Sequence, residues 1–289
     1  MVLAFGEILW DIIEGEAHLG GAPLNFAVHL KQMGQNAALI SGIGYDEYGD
    51  QAINRLEGRG VTIAHIQRND YPTGTVYVQL DKGEPDYAFA ENTAIDHLAF
   101  DRLDLQQLAD YSVFYYGTLI QRSLQSRNTL YRLLESQQFE HIFYDVNLRK
   151  KGYTKNTILY SLEHCTILKM NQSEAGYIAG LIGTTQDKLF SALTEQYPKM
   201  ELMLVTRGEE GCLVSFNKEV HAVPGVKAKV KDTIGAGDAF SAAFLSSFIR
   251  EGDPLKAAGI ANRVGAFVAC STGATPSYPD GFLEEIGLL

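Results

Sequence analysis

The chain reads as an α/β protein: a three-layer sandwich with a mostly parallel central sheet, helices on both faces, and one β hairpin, either at the sheet's edge or inserted as a small flap. Three observations predict it. Strand-like apolar runs alternate with helix-like patterns over most of the second half, and such alternation implies a parallel sheet covered on both sides. The 289 residues, 46% hydrophobic and 20% charged, suit one large α/β domain spanning 1–289. One stretch breaks the pattern. Val76, Val78 and Leu80 alternate with Thr75, Tyr77 and Gln79, which marks a half-exposed strand.

In order, residues 2–5 predict a first strand. Residues 23–33 predict a helix with Phe26, Ala27, Leu30 and Met33 on one side and Gly34 as its stop. A strand at 37–41 and a helix carrying Gly49, Ala52, Ile53 and Leu56 follow. The strand at 75–80 turns at Asp81-Lys82-Gly83 and returns over 86–90. That hairpin is either an edge of the main sheet or an inserted flap, and the flap is taken to draw on about 11–18 and 73–92. Beyond Phe100, strands are expected at 113–116, 141–145, 166–170 and 201–206. Helices are expected at 123–136, 173–179, 185–196, 236–250 and 254–270. Ligands in such sheets bind beyond the carboxyl ends of the strands.

The formal net charge of −11 leaves no basic excess to pair with duplex nucleic acid or anionic membranes. Cys165, Cys212 and Cys270 are widely spaced, which argues against a disulfide framework or a zinc site and for a reducing, cytoplasmic setting. No run approaches membrane-spanning length, and residues 1–5 lack the basic flank of a signal peptide.

The chemistry concentrates in Lys231-Asp232-Thr233-Ile234-Gly235-Ala236-Gly237-Asp238-Ala239-Phe240. Ala236, Phe240, Phe244 and Phe248 recur every fourth residue, so a helix begins at the small residues Gly235-Ala236-Gly237. Amides at a helix start have no partner within the helix, and the peptide dipoles add positive charge there. Such a tip holds a phosphate or a developing anion. Asp238, in the first turn, is placed to accept a hydroxyl proton; an acid there is also favourable without any chemistry.

Other stretches stand near strand ends. Gly20-Gly21-Ala22-Pro23-Leu24-Asn25 opens a helix; the glycines admit a close ligand, and Asn25 offers a donor and an acceptor suited to sugar hydroxyls. Asn171 with Glu174 fits a helix capping box. Thr206-Arg207-Gly208-Glu209-Glu210-Gly211 fits a hairpin turn. No G-x-x-x-x-G-K-[ST] occurs, which excludes a P-loop.

The decapeptide matches every fixed position of D-T-x-G-A-G-D-x-F, and the chain resembles the PfkB, or ribokinase-like, carbohydrate kinases from its first strand to Pro279. The G-G-A-P-x-N string and Leu9-Trp10-Asp11 look most like bacterial fructokinases. The resemblance implies ATP-dependent phosphorylation of a sugar primary hydroxyl, fructose first, with Asp238 as base and Gly235, Ala236 and Gly237 as the anion hole. Sister activities on 2-keto-3-deoxygluconate, ribose or a nucleoside, or a non-catalytic sugar-binding regulator, are the alternatives.

By the same resemblance Asp11, Gly20, Gly21, Asn25, Asn147 and Arg149 meet the sugar, and Tyr87 and Phe89 cover it unless they merely pack the hairpin. Asn171, Thr206, Arg207, Gly208, Gly211, Gly235, Gly237 and Asn262 meet the nucleotide; Asn262 also reads as an exposed helical residue. Glu174 serves Mg2+ through water. Asp232, Gly273 and Ser277, with carbonyls of Ile234, Val268 and Ser271, form a site for K+ or another monovalent cation. A homodimer joined through the flap is also implied. Leu24 and Ile95 depart from the residues usual at their positions.

Overall fold

The computed structural model describes residues 1–81, 84–149 and 152–289, with the side chains of 78–87 outside that description. The strands are β1 (Val2–Phe5), β2 (Leu9–Ile13), β3 (Glu16–Gly20), β4 (Ala37–Gly44), β5 (Ile66–Asn69), β6 (Gly74–Asp81), β7 (Glu84–Phe89), β8 (Val113–Gly117), β9 (His141–Asp145), β10 (Ile167–Asn171), β11 (Leu202–Thr206), β12 (Cys212–Phe216) and β13 (Glu219–Val223). The helices are α1 (Ala22–Gln32), α2 (Glu47–Gly58), α3 (Leu105–Leu108), α4 (Leu124–Ser136), α5 (Lys155–His164), α6 (Gln172–Leu181), α7 (Leu189–Gln196), α8 (Ala236–Glu251), α9 (Pro254–Ala269) and α10 (Phe282–Glu285).

Nine strands form the main sheet in the order β13-β12-β11-β10-β9-β8-β1-β4-β5. Every pair from β11 to β5 is parallel, and β12 and β13 add an antiparallel edge. Side chains alternate between the faces, as strand geometry requires. Val2 and Ala4 join a core with α1, α8 and α9, while Leu3 and Phe5 join one with α4 to α7. Both faces are therefore buried, and β1 and β8 read as unbroken apolar runs. On α8 the predicted stripe is a stack: Phe240, Phe244 and Phe248 lie ring over ring at 6.5 and 5.7 Å.

The hairpin of the sequence analysis belongs to a second sheet, ordered β3-β2-β6-β7. It is not an edge of the main sheet. Residues 82 and 83 of its expected turn lie outside the described residues. Two braces hold the base of this flap. Asp46, the N-cap of α2, accepts the Thr73 amide at 2.7 Å. Arg122 donates to the Ala90 carbonyl at 2.8 Å while paired with Asp96 at 2.7 Å. The flap rises from fixed points on either side of β6 and β7.

Expected and observed bounds agree closely for the long apolar strands, with 141–145 identical. Residues 185–196 divide into a 3-10 turn and a shorter α7. Residues 155–164, not assigned from sequence, form α5, capped by Thr154.

Candidate active site

The site lies at the carboxyl ends of β1, β9, β10 and β11, where the topology of an open sheet places a ligand. α8 points its N-terminus into it. Gly235 is left-handed at φ +77°, and a Cβ there would meet the Ala274 carbonyl oxygen at 2.4 Å, so the tip needs glycine. The Ala236 amide donates to the Thr233 carbonyl at 3.3 Å, and that of Ala239 to Gly235 at 2.9 Å. The amides of Gly235, Gly237 and Asp238 have no partner among the described residues. Bare donors converge at one tip, as an anion site requires.

Asp238 is held from α1. Asn25 Nδ2 donates to Asp238 Oδ2 at 2.8 Å, and the Asn25 carbonyl oxygen is buried without a partner. Asn25 thus has one group fixing the acid and one left for a ligand. Burial pushes the Asp238 carboxyl up to about 6; the Asn25 amide pulls it back, and Lys169 and Arg149 also lower it. A base that titrates just below neutrality is matched to deprotonating an alcohol at physiological pH.

The cleft in front of Asp238 has room of about 370 Å³ and a polar wall. It brings together Glu7, Asp11, Gly21, Asn25, Phe89, Asn147, Arg149, Asn171, Glu174, Ile234, Gly235, Gly237 and Asp238 from distant parts of the chain. Burial raises Asp11 to about 6, with Arg149 the main charge holding it down. A Cβ on Gly20 would meet Asp11 Oδ2 at 2.7 Å, so that glycine lets the carboxyl lie against β3. Gly21 is tighter still: its φ is +119°, and a Cβ would meet the Glu7 carbonyl oxygen at 2.2 Å. Asn147 lines the cleft from a positive φ of 35°, a conformation asparagine tolerates better than most residues. Phe89 faces the cleft and also packs with Leu9, Val76 and Leu119. The Tyr87 side chain lies outside the described residues.

Two residues of this site carried no motif. Glu7 is 4% exposed, with Oε2 buried and unpartnered. Lys169, on β10, is buried against Asp145 at 3.0 and 3.1 Å. Asp145 also accepts from the hydroxyls of Ser241 at 2.9 Å and Tyr115 at 3.1 Å. Lys169 Nζ lies 3.3 Å from where a Gly237 Cβ would stand, directly against the tip of α8. Burial alone would lower this ammonium, but Asp145 and Glu174 outweigh it and raise its pKa.

A second cleft, of about 270 Å³, is apolar. Val226, Ala228 and Val230 form one wall, Gly265, Ala266 and Ala269 of α9 another. Gly208 and Gly211 lie at its rim beside Asn262. Gly211 is required there, because at φ +87° its Cβ would meet the Val223 carbonyl oxygen at 2.2 Å. Asn262 is not an exposed helical residue: it is 8% exposed and donates to the Pro224 carbonyl at 3.0 Å. Arg207 pairs with Glu210 at 3.6 Å. The two clefts share Thr206, Thr233 and Gly237, so they meet at the α8 tip.

Asn171 and Glu174 form the capping box in full. Glu174 Oε1 accepts the Leu148 amide at 2.9 Å and Oε2 the Asn171 amide at 2.8 Å. Each oxygen keeps a lone pair, which fits a contact to an ion through water. Asp232 accepts the amides of Ile234 at 3.0 Å and Gly273 at 3.2 Å. The Val268 carbonyl accepts the Ser271 amide at 2.9 Å, and Ser277 is exposed on the same loop. These are hard oxygen donors of the kind potassium or sodium takes. Among the described residues, no group of three His, Cys, Asp or Glu is arranged to hold a metal ion. Nor is any helix of the described residues long and apolar enough to cross a membrane.

The carboxyl values set a pH expectation. A base must be deprotonated to act, so activity falls as pH drops through about 6, the value of Asp238. Asn25→Leu withdraws the donor that favours the charged carboxylate, so it moves this acid limb to higher pH. A pH profile of kcat checks both; an unmoved limb in the variant would separate the limb from Asp238.

A family model described as pfkB family carbohydrate kinase matches residues 5–281. Fructokinase-1 of Zea mays is 29% identical over 309 residues, covering 96% of this chain and 94% of that protein. The fructokinase of Salmonella typhimurium is 28% identical over 300 residues, with 96% of each covered. An uncharacterized sugar kinase of Pyrococcus horikoshii, solved in complex with ATP, superimposes at a TM-score of 0.86 with 26% identity, over 98% of this chain and 97% of that one.

Proposed function

The chain belongs to the pfkB family of carbohydrate kinases, and we propose that within it the protein phosphorylates a primary hydroxyl of fructose at the expense of ATP. One observation carries the reading. An apolar cleft and a carboxyl-lined cleft meet at Gly237, and at that junction bare amides stand beside a raised carboxyl. The curated relatives named fructokinase support fructose as the acceptor, and the ATP complex of the archaeal relative supports the donor.

The sugar occupies the polar cleft against Asp11, Asn25, Asn147 and Arg149. The nucleotide occupies the apolar cleft, its phosphates directed at the tip of α8 past Asn171, Thr206 and Gly208. Asp238 takes the proton of the primary hydroxyl. That oxygen bonds to the γ-phosphorus while the bond to the bridging oxygen breaks, and ADP leaves with the electron pair. Amides at Gly235 and Gly237 hold the charge that gathers on the phosphoryl oxygens. Glu174 would hold magnesium through water, and the ion when bound would supply neutralisation of the ATP phosphates. Potassium beside Asp232 would set the field behind the amides. The flap, with Phe89 on its inner side, excludes water so that ATP is not simply hydrolysed.

An ADP-release assay tests this directly with fructose, ribose, 2-keto-3-deoxygluconate and a nucleoside as acceptors. Fructose is expected to give the highest kcat/KM, with release dependent on magnesium and raised by potassium. No release with any sugar would end the reading, and a clear preference for another acceptor would correct it. The widely spaced cysteines support a cytoplasmic setting. The half-exposed Tyr77 on the second sheet supports a homodimer joined through the flap. A monomer mass by sedimentation at working concentration would remove the dimer.

A further inference from the structure

Glu7 sits one turn of chain beyond β1, before the flap begins at β2. Its side chain reaches the same cleft as Asp11, Asn25 and Asp238. It is almost wholly buried, and Oε2 meets no donor. Buried polar atoms are nearly always paired, so an orphan demands an explanation. Asn25, which also lines this cleft, presents the same feature: an unpartnered carbonyl oxygen beside a satisfied amide. Two orphaned acceptors in one polar cleft match a ligand rich in hydroxyl donors.

A purely structural role does not cover both oxygens of Glu7. α1 begins at Gly21 with no side-chain cap and no acid in its first turn. The Glu7 side chain lies against that start, its Cγ 3.4 Å from where a Gly21 Cβ would stand, and the amides of Glu7 and Ala22 favour its charged form. Oε2 is still left without a donor. Burial and the nearby Asp238 charge lift the group to about 7, so it can accept from or donate to an alcohol.

We propose that Glu7 is a specificity-determining residue whose unpartnered oxygen hydrogen-bonds one hydroxyl of the carbohydrate acceptor, one that is not phosphorylated. The inference rests on the reading of this cleft as the sugar site. A site built around such a bond discriminates against an acceptor lacking the hydroxyl, because the buried oxygen is then left unpaired.

The test is a matrix of Glu7→Leu, Glu7→Asp and Glu7→Gln against the best acceptor and its monodeoxy analogues, read as kcat/KM. Glu7→Leu is expected to lose on the order of 10–100-fold with the full acceptor, the range of a hydrogen bond to a charged group. With one deoxy analogue it should lose nothing further. Glu7→Asp keeps a carboxyl near α1 but withdraws the oxygen from the cleft. It should show the same pattern even if the leucine variant does not fold. Glu7→Gln should retain most of the activity, and the KM for ATP should stay constant throughout. A loss of equal size across all analogues, or no loss at all, overturns the inference and leaves Glu7 as a support for α1. A parent chain inactive with every sugar overturns the underlying reading instead.

Discussion

Replacing Asp238 by asparagine is expected to lower kcat by about 10²–10⁴-fold, the range a general base contributes, with little change in ATP affinity. The substitution isolates the proton. An asparagine oxygen at 238 can still accept from Asn25 Nδ2, so the 2.8 Å contact and the entry of α8 persist. What disappears is the group able to take a proton, so the acid limb near pH 6 should vanish along with the rate. Stability is expected to move the other way. The folded carboxyl titrates at about 6, above its ordinary 3.8. The folded state therefore binds the proton more tightly, and the ionised acid subtracts stability above about pH 6. Asp238→Asn removes that penalty, so its melting temperature should exceed the parent's at pH 7–8. The gap should close as pH falls through 6 towards 4. Turnover within a few-fold of the parent would refute the base. A melting temperature below the parent's at neutral pH would refute the strained carboxyl.

The legible part of this protein was local. Runs such as residues 113–117 are buried on both faces, so every residue is apolar and the strand declares itself. The α8 tip was equally plain, because three small residues must precede a phenylalanine stripe in continuous sequence. β5 was not legible: as an edge strand its Ile66-Gln67-Arg68-Asn69 carries almost no apolar pattern. β2 and β3 overlap the flap segment expected at about 11–18, but their bounds were not legible, because pairing with each other and with β6 turns residues 9–13 out of the main sheet. Asn171 and Glu174 were visible at capping-box spacing, but the second amide on Glu174 comes from Leu148, on a different loop that the spacing does not reach. Glu7 left no signal, and Lys169 little. Each acquires its meaning from groups far along the chain, Lys169 from Asp145 and the α8 tip, Glu7 from Asp238 and Arg149. One clue existed for Lys169: a lysine inside a predicted buried strand demands a buried anion.

Lys169→Met carries the second large effect, and it should strike stability and turnover together. Asp145 is buried at 1% side-chain exposure, and Lys169 is its only ion-pair partner among the described residues. Breaking a buried pair from one side costs about 3–5 kcal/mol, because the remaining charge is left uncompensated. In a chain of this size that lowers the melting temperature on the order of 10 °C. Ser241 and Tyr115 still donate to Asp145, which keeps the loss from exceeding that range. The ammonium also abuts Gly237, where the phosphoryl charge is proposed to gather, so its loss should cost turnover about 10²–10³-fold, as for one missing anion-hole donor. The double variant Asp145→Asn with Lys169→Met separates the two. Removing both charges of a buried pair is far milder than removing one, so the melting temperature should recover. The rate should not, since no cation returns to the tip of α8. If the double variant regains both, Lys169 serves the fold alone; if it regains neither, the pair is not the unit that the 3.0 Å contact makes it.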